Sequence, residues 1–334
     1  MGARVNLDGY VRLPGLINAH DHLEFNLFPK LGNGNYRNAT EWARDIHHPD
    51  RSPIREHLRV PKRVRLWWGG LKNLLSGVTT VCHHNPYESA VFGPDFPVRV
   101  VRRMTWAHSL AFEPGLNGRR SADWPFVIHC AEGVDSGARG EIEALDARGA
   151  LDSRTAIVHG VGLTRAGIEL MRRRGAALIW CPTSNFGMFG RTISRTVLNS
   201  GLPIALGTDS ALSAPVDLLD ELAVARRFVS AERAYAMTTS VPAQILRLPQ
   251  HKDDWIAVCI RTGMVALVAV AGRIRLITPE LAKQLPKCER RSLQRLHVEG
   301  RPPVLVDADV GCLRRTAQKH LGSDLRLAGR RVLS

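Results

Sequence analysis

Along residues 15–209, short apolar runs alternate with stretches in which apolar residues recur every three or four positions. This is the pattern of repeated strand–helix units. The runs "GLINAH" (15–20), "VTTVCH" (78–83), "VRVVRRMTWA" (98–107), "PFVIHC" (125–130), "TAIVHG" (155–160), "AALIWCP" (176–182) and "LPIALGTD" (202–209) predict strands. Helical period marks "RGEIEALDARGA", "TRAGIELMRRRG" and "PVDLLDELAVARRFV". Thr164 as N-cap and Gly175 as stop bound the second of these. In the third, Leu218, Leu219, Leu222, Ala225 and Val229 share a face, while Asp220, Glu221, Arg226 and Arg227 fall mostly elsewhere.

Nearly every predicted strand ends on a chemically capable group: His20 and His22, His83 and His84, His129, His159, Asp209. Parallel βα units fit either an open, doubly wound sheet or a closed barrel. A barrel brings all carboxyl ends to one face, whereas an open sheet would hold the first and last far apart. The pattern therefore predicts an α/β chain with a (β/α)8-type (TIM) barrel over 14–249. Seven strands are found where eight are expected. Either the barrel is abbreviated by one unit or an irregular strand lies near 108–118. After about residue 250, "DWIAVCI", "MVALVAVAGRIRLI" and "PPVLVDA" read as short antiparallel strands. With residues 1–13 they predict a partial, incomplete β-sandwich (1–13 plus 250–310), followed by a basic, poorly patterned C-terminal tail (311–334).

Composition narrows the class. With 334 residues and 44% hydrophobic content, the chain can bury a large core. No apolar run reaches the ~18 residues needed to span a bilayer. "MGARVNLDGY" lacks a secretory signal's apolar centre, and Asn6 stands where a myristoylation motif wants Ser or Thr. A cytoplasmic protein with no membrane partner is expected. Six scattered cysteines without a C-x-x-C pair predict reduced thiols, not a disulfide framework. The net charge of +15 is nearly all Arg and is spread along the chain. Without a nucleic-acid-binding signature it reads as a basic surface, so no nucleic-acid partner is expected, though an acidic substrate stays open.

"LINAHDHLEF" (16–25) carries the first chemical signal. Residues i and i+2 of a strand share a face, so His20 and His22 offer two imidazoles to one point. Alone the pair is weak, since a buried histidine bonded to a carbonyl is commoner than a metal ligand. "VIHCAEG" adds His129 and, three residues on, Glu132; "AIVHGVGL" adds His159; "IALGTDSALS" adds Asp209 at the end of an apolar run. Three imidazoles and a carboxylate suit Zn²⁺ or Fe²⁺ with a position left for water.

The ordered set "PGLINAHDH", "HCAE", "VHGVGL", "CPTSN" and "LGTDS" resembles the amidohydrolase superfamily. Within it, the set is similar to the mononuclear branch containing cytosine, guanine and S-adenosylhomocysteine deaminases and the triazine chlorohydrolases. The likeness runs from about residue 13 to 247. It implies that His20, His22, His129 and Asp209 bind one divalent metal, Zn²⁺ before Fe²⁺, which acidifies a water for hydroxide attack. It implies Glu132 as proton shuttle, Asp209 as acceptor of the water's proton, and His159 as partner of water or substrate. Branches with two metals need a mid-barrel carboxylated Lys, and no Lys lies between Lys72 and Lys252.

The implied activity is hydrolysis of a non-peptide carbon–nitrogen bond, deaminating a small heterocyclic substrate. Hydrolysis of a C–Cl bond or a cyclic amide, or a non-catalytic homologue binding a ligand or polyanion, are the alternatives. Substrate contacts are expected from His84, Ser184, Asn185 and Trp42, with His83, Tyr87, Asn26, His47 and His108 as further candidates. The stretch "HLEFNLFPKLGNGNYRNATEWARDIHH" reads as a lid or substrate wall, with a solvated loop as the bland alternative. A homo-oligomer is compatible with all of this. Only "MGARVNLDGYVRL" precedes the H-x-H, shorter than the family's usual leading segment, and the branch's mid-barrel "HAPY"-like motif is missing.

Overall fold

The structure is a computed structural model describing residues 5–116, 123–249 and 251–333. Its centre holds eight short parallel strands: β2 (Leu16–Asp21), β3 (Val78–His83), β4 (Arg99–Val100), β5 (Thr105–Ser109), β6 (Phe126–Cys130), β7 (Thr155–His159), β8 (Ala177–Trp180) and β9 (Ile204–Leu206). Aliphatic residues buried on both faces make these runs nearly continuous in the sequence, as expected of parallel strands covered by helices. They form two sheets, β2-β3-β4 and β5-β6-β7-β8-β9.

The single strand expected at 98–107 is two pieces. β4 pairs with β3 and β5 pairs with β6, so one passage of chain serves both sheets. Arg102, Arg103 and Met104 break it, and no helix intervenes. No separate strand follows Ser109 within the described part of 108–118; residues 117 and 118 lie outside the described residues.

On the other side, β2 and β9 meet only at their carboxyl ends. There the amide N–H groups of Thr208 and Asp209 donate to the His20 carbonyl at 2.9 and 3.1 Å. Lower down, Ile17 and Leu206 donate instead to the carbonyls of Thr238 and Met237. Gly207 permits this approach, because a Cβ on it would stand 2.7 Å from the Cβ of His20.

The predicted caps hold. Thr164 accepts the Gly167 N–H, and Gly175 ends the helix Arg165–Arg174 in the left-handed region at φ 71°. The helix Lys62–Leu75 was not marked by any clear polar face. It buries Leu66, Trp68, Leu71 and Leu74, each worth about 1.5–3 kcal/mol when fully buried, and also Arg65 and Lys72.

The remaining strands are β1 (Tyr10–Pro14), β10 (Trp255–Cys259), β11 (Val265–Val270), β12 (Arg273–Ile277), β13 (Gln294–Val298), β14 (Val304–Val306), β15 (Arg326–Leu327) and β16 (Arg330–Leu333). The segments expected to build a partial β-sandwich join one eight-stranded antiparallel sheet, ordered β1-β10-β11-β12-β14-β13-β16-β15. The stretch read as a poorly patterned basic tail is regular. Helix Val310–Leu321 buries Val310, Leu313 and Ala317, and β15 and β16 extend the sheet. Its apolar positions are spaced i, i+3, i+7 and are hidden among Arg and Lys. All six cysteines are free, as expected. Among the described residues no helix is long and apolar enough to cross a membrane.

Candidate metal centre

The carboxyl ends of β2, β6 and β7 and the loops that follow β6 and β9 bring the predicted residues together. His20, His22, His129 and Asp209 each offer one ligand atom, and these atoms lie within 4.8 Å of one another, all in buried side chains. The Nε2 atoms of His20 and His129 are 3.1 Å apart. Asp209 Oδ1 lies 3.4 Å from His20 Nε2 and 3.6 Å from His22 Nε2. A cation bonded at about 2.0–2.1 Å holds neighbouring tetrahedral ligands about 3.3 Å apart, so the spacing fits one ion.

The outer hydrogen bonds fix the tautomers in the same sense. His129 Nδ1 is 2.7 Å from the His108 carbonyl and must donate to it. His22 Nδ1 faces Asn85 Oδ1 at 3.0 Å and likewise donates. Each then turns a bare Nε2 inward, the arrangement a second layer imposes on metal-binding histidines. The Nε2 atoms of His20 and His129 close on one another with Asp209 Oδ1 beside them, so three donor atoms face one point.

Electrostatics agree. Burial, against a hydrogen bond to Asp209, lowers His20 to about 4. Burial also drives His129 well down, with His84 and His108 adding to the effect. Neutral imidazole is the ligating form. Burial alone would raise Asp209, but the hydrogen bond with His20 and the surrounding imidazoles hold it well below the usual carboxylate range. Its Oδ2 also accepts from the hydroxyls of Ser184 and Ser213, both at 2.6 Å. Glu132 is driven the other way: burial first, then the charges of Asp209 and Glu141, push it well above 4.5. Two carboxyls in one site are thus pushed in opposite directions, the division that acid–base chemistry uses.

His159 Nε2 lies 3.3 Å from Glu132 Oε1, and its Nδ1 faces Asn185 Oδ1 at 2.9 Å. Ala131, His159 and Asp209 all have left-handed backbones, with φ of 52°, 78° and 57°. Non-glycine residues adopt this conformation only at a cost, and such outliers cluster where side chains are aimed at chemistry.

Of the expected substrate contacts, Ser184 and Asn185 are committed to Asp209 and His159. His84 joins the imidazole cluster, its ring 4.5 Å from that of His129 and 4.9 Å from that of His20. Its Nε2 meets the Ala107 carbonyl at 3.0 Å, while Nδ1 is buried without a partner. His108 stacks beside His129, and its Nδ1 is also unpartnered. Asn26 supports Asp21 from within the fold, at 3.0 Å. Trp42 gives its indole N–H to the Leu31 carbonyl at 3.3 Å, and Tyr87 gives its hydroxyl to the Phe92 carbonyl at 3.2 Å. His83 pairs with Glu24 at 3.3 Å, and His47 is exposed at a helix end.

The segment after β2 crosses the rim of the site. Leu31 donates to Leu212, Tyr36 to Met188, Ala39 to Glu132 and Val134 to Arg37, at 2.7–3.0 Å. The wall expected there is held by backbone bonds to the loops that carry Glu132 and Asp209.

Sequence reasoning missed a polar layer behind the site. Asp21 is fully buried and takes Lys72 Nζ at 2.7 Å and Asn73 Nδ2 at 2.6 Å. Glu221, expected on the polar face of its helix, is fully buried and accepts from the Thr183 N–H and hydroxyl. Asp217 caps that helix by accepting the N–H groups of Leu219 and Asp220, but nothing in the helix's spacing shows that the Glu221 face turns inward.

Comparison with known proteins agrees with this geometry. Residues 123–253 match the model of the Amidohydrolase family. A 5-methylthioadenosine/S-adenosylhomocysteine deaminase of Thermococcus sibiricus is 23% identical over 319 residues, covering 73% of this chain and 71% of that protein. Among solved structures, a zinc-bound adenosine deaminase from Xanthomonas campestris superposes with a TM-score of 0.67 at 16% identity, covering 94% of this chain and 85% of that one. Atrazine chlorohydrolase TrzN from Arthrobacter aurescens, with zinc, gives 0.65 at 15% identity, covering 94% and 88%. These neighbours carry a TIM-barrel-type fold.

Proposed function

The chain is an enzyme of the amidohydrolase superfamily, and from that premise we propose that it hydrolyses a non-peptide carbon–nitrogen bond, deaminating a heterocycle. The observation that carries this reading is the meeting of His20, His22, His129 and Asp209 within 4.8 Å, with Glu132 beside them against His159. A divalent cation held by those four residues, Zn²⁺ before Fe²⁺, supplies the field that acidifies water near neutral pH. The broken β4–β5 passage and the β2–β9 seam support a barrel abbreviated by one unit around this site.

Each side chain has work suited to its environment. Glu132, its carboxyl pushed up by burial, gives its proton to the ring nitrogen next to the carbon under attack. Asp209 accepts the proton lost by water as the oxygen bonds to that carbon. Its Oδ2 is pinned by Ser184 and Ser213, which leaves Oδ1 for this work. When the carbon–nitrogen bond breaks, the ionised Glu132 carries the proton of the new hydroxyl to the leaving amine, which departs as ammonia and leaves a carbonyl, and the proton on Asp209 returns to Glu132. His159, held by Asn185, faces Glu132 and the attacking water. His84 Nδ1, left bare because Nε2 donates to the Ala107 carbonyl, is an acceptor for a substrate N–H. Ser184 and Asn185 act through Asp209 and His159 as positioning residues.

The likeness to an adenine-nucleoside deaminase makes amino-purines and their nucleosides the first substrates to test. The structural likeness to a chlorohydrolase makes C–Cl hydrolysis the second reading. Purified protein is screened against amino-heterocycles and chloro-heterocycles for ammonia and chloride release, with metal measured in parallel. About one Zn or Fe per chain with ammonia release supports the proposal. Chloride release without ammonia moves it to the second reading, and a metal-free, inert protein refutes both.

A further inference from the structure

Behind the candidate metal centre lies a buried ion pair that the chemistry above does not use. Asp21 sits between His20 and His22, and its side chain points away from theirs because neighbours on a strand face opposite ways. It points into the helix layer, where Lys72 of Lys62–Leu75 meets Asp21 Oδ2 at 2.7 Å. The same ammonium donates to the Thr208 hydroxyl at 2.9 Å. Thr208 immediately precedes Asp209. One nitrogen atom is therefore bonded to the residue between two ligands on β2 and to the residue next to the ligand after β9.

The surroundings are built to hold this bridge. Asn18 gives its amide N–H to Thr208 Oγ1 at 2.8 Å and takes the Thr208 backbone N–H at 3.2 Å. Asn73 donates to the same Oδ2 of Asp21 at 2.6 Å, and Asn26 donates to its Oδ1 at 3.0 Å. Lys72 is 3% exposed, and Asp21, Asn18 and Asn73 are 0% exposed. A buried ion pair is seldom more stable than an apolar replacement of similar volume, so stability alone gives little reason for it. Its position gives another. β2 and β9 touch only at their carboxyl ends, and the bridge lies at that contact.

We propose that Lys72 and Thr208 are positioning residues that set the separation between the His20/His22 pair and Asp209, and thereby the affinity of the site for a divalent cation. The inference rests on the metal reading above. Outer-layer partners of this kind typically change metal affinity by about ten- to a hundredfold.

The test uses Zn²⁺ alone, titrated against a chelating dye, with the melting temperature of the metal-free protein measured alongside. Thr208→Val leaves the Lys72–Asp21 pair intact and removes the hydroxyl that accepts from Lys72 and from Asn18, both of them bonds to the segment that carries Asp209. It is expected to weaken Zn²⁺ binding by at least about tenfold. Thr155→Val is the control: it removes a buried hydroxyl bonded to the Ala150 carbonyl at the far end of β7, so melting falls while Zn²⁺ affinity holds. Lys72→Met alone would strand a buried carboxylate, so it is paired with Asp21→Asn; the double variant is expected to fold and still bind Zn²⁺ weakly. Parent-like affinity in Thr208→Val or in the double variant overturns the proposal while leaving the metal site standing. A parent protein that takes up no Zn²⁺ overturns both.

Discussion

Glu132 and Asp209 share one site, and what touches them pushes their carboxyls in opposite directions. Burial raises the first, and imidazoles and two serine hydroxyls hold down the second. Glu132→Gln keeps the shape and the metal ligands while removing the exchangeable proton. Metal stoichiometry is expected to stay at that of the parent while turnover falls by about 10²–10⁴, read by metal analysis and single-turnover kinetics on the same preparation; loss of metal would make Glu132 a ligand. Glu221 offers a separate residue-scale test. Burial, with the charge of Asp209 and against Thr183 and Lys72, raises it to about 8 from an ordinary 4.5. The folded chain therefore keeps a proton that the unfolded chain has released. Stability is full below about 4.5 and falls as pH rises towards 8. Denaturant titrations across that window should show this slope in the parent and lose it in Glu221→Gln.

At the scale of elements, the seam between β2 and β9 is the feature on which the site depends. Gly207→Ala places a Cβ within 3.0 Å of the His20 backbone nitrogen and oxygen, both main-chain atoms that cannot swing away. The seam must open to admit it. A loss of about 1–3 kcal/mol is expected from such overpacking, together with weaker metal binding, read by denaturation and metal titration. Helix Arg165–Arg174 is the contrasting case. Thr164→Ala removes a cap far from this seam and should cost about 1 kcal/mol with metal affinity unchanged.

For the molecule as a whole, four ligands drawn from positions 20 to 209 tie distant parts of the chain to one point. Metal binding to such a site is linked to folding. Chelation should lower the melting temperature, and returning Zn²⁺ should restore it; a melting temperature indifferent to chelator would show that the imidazole cluster stands without an ion.

The chain's own order of residues was enough to mark the candidate site. Strand ends can be recognised from apolar runs, and a strand's alternation puts His20 and His22 on one side without further information. His129, Glu132, His159 and Asp209 stand at equivalent places in later runs, so the constellation is a local property repeated. Thr164, Gly175 and the free cysteines were legible for the same reason, since caps and thiol spacing act over a few residues. Tertiary structure decided what depends on two distant segments meeting. The split of 98–107 follows from which neighbour each half pairs with. The ordering of 310–333 follows from a face that only the sheet and its neighbouring helices can cover. Lys72 and Glu221 look like surface charges in sequence, because a charged side chain carries no mark of the partner waiting 136 or 38 residues away.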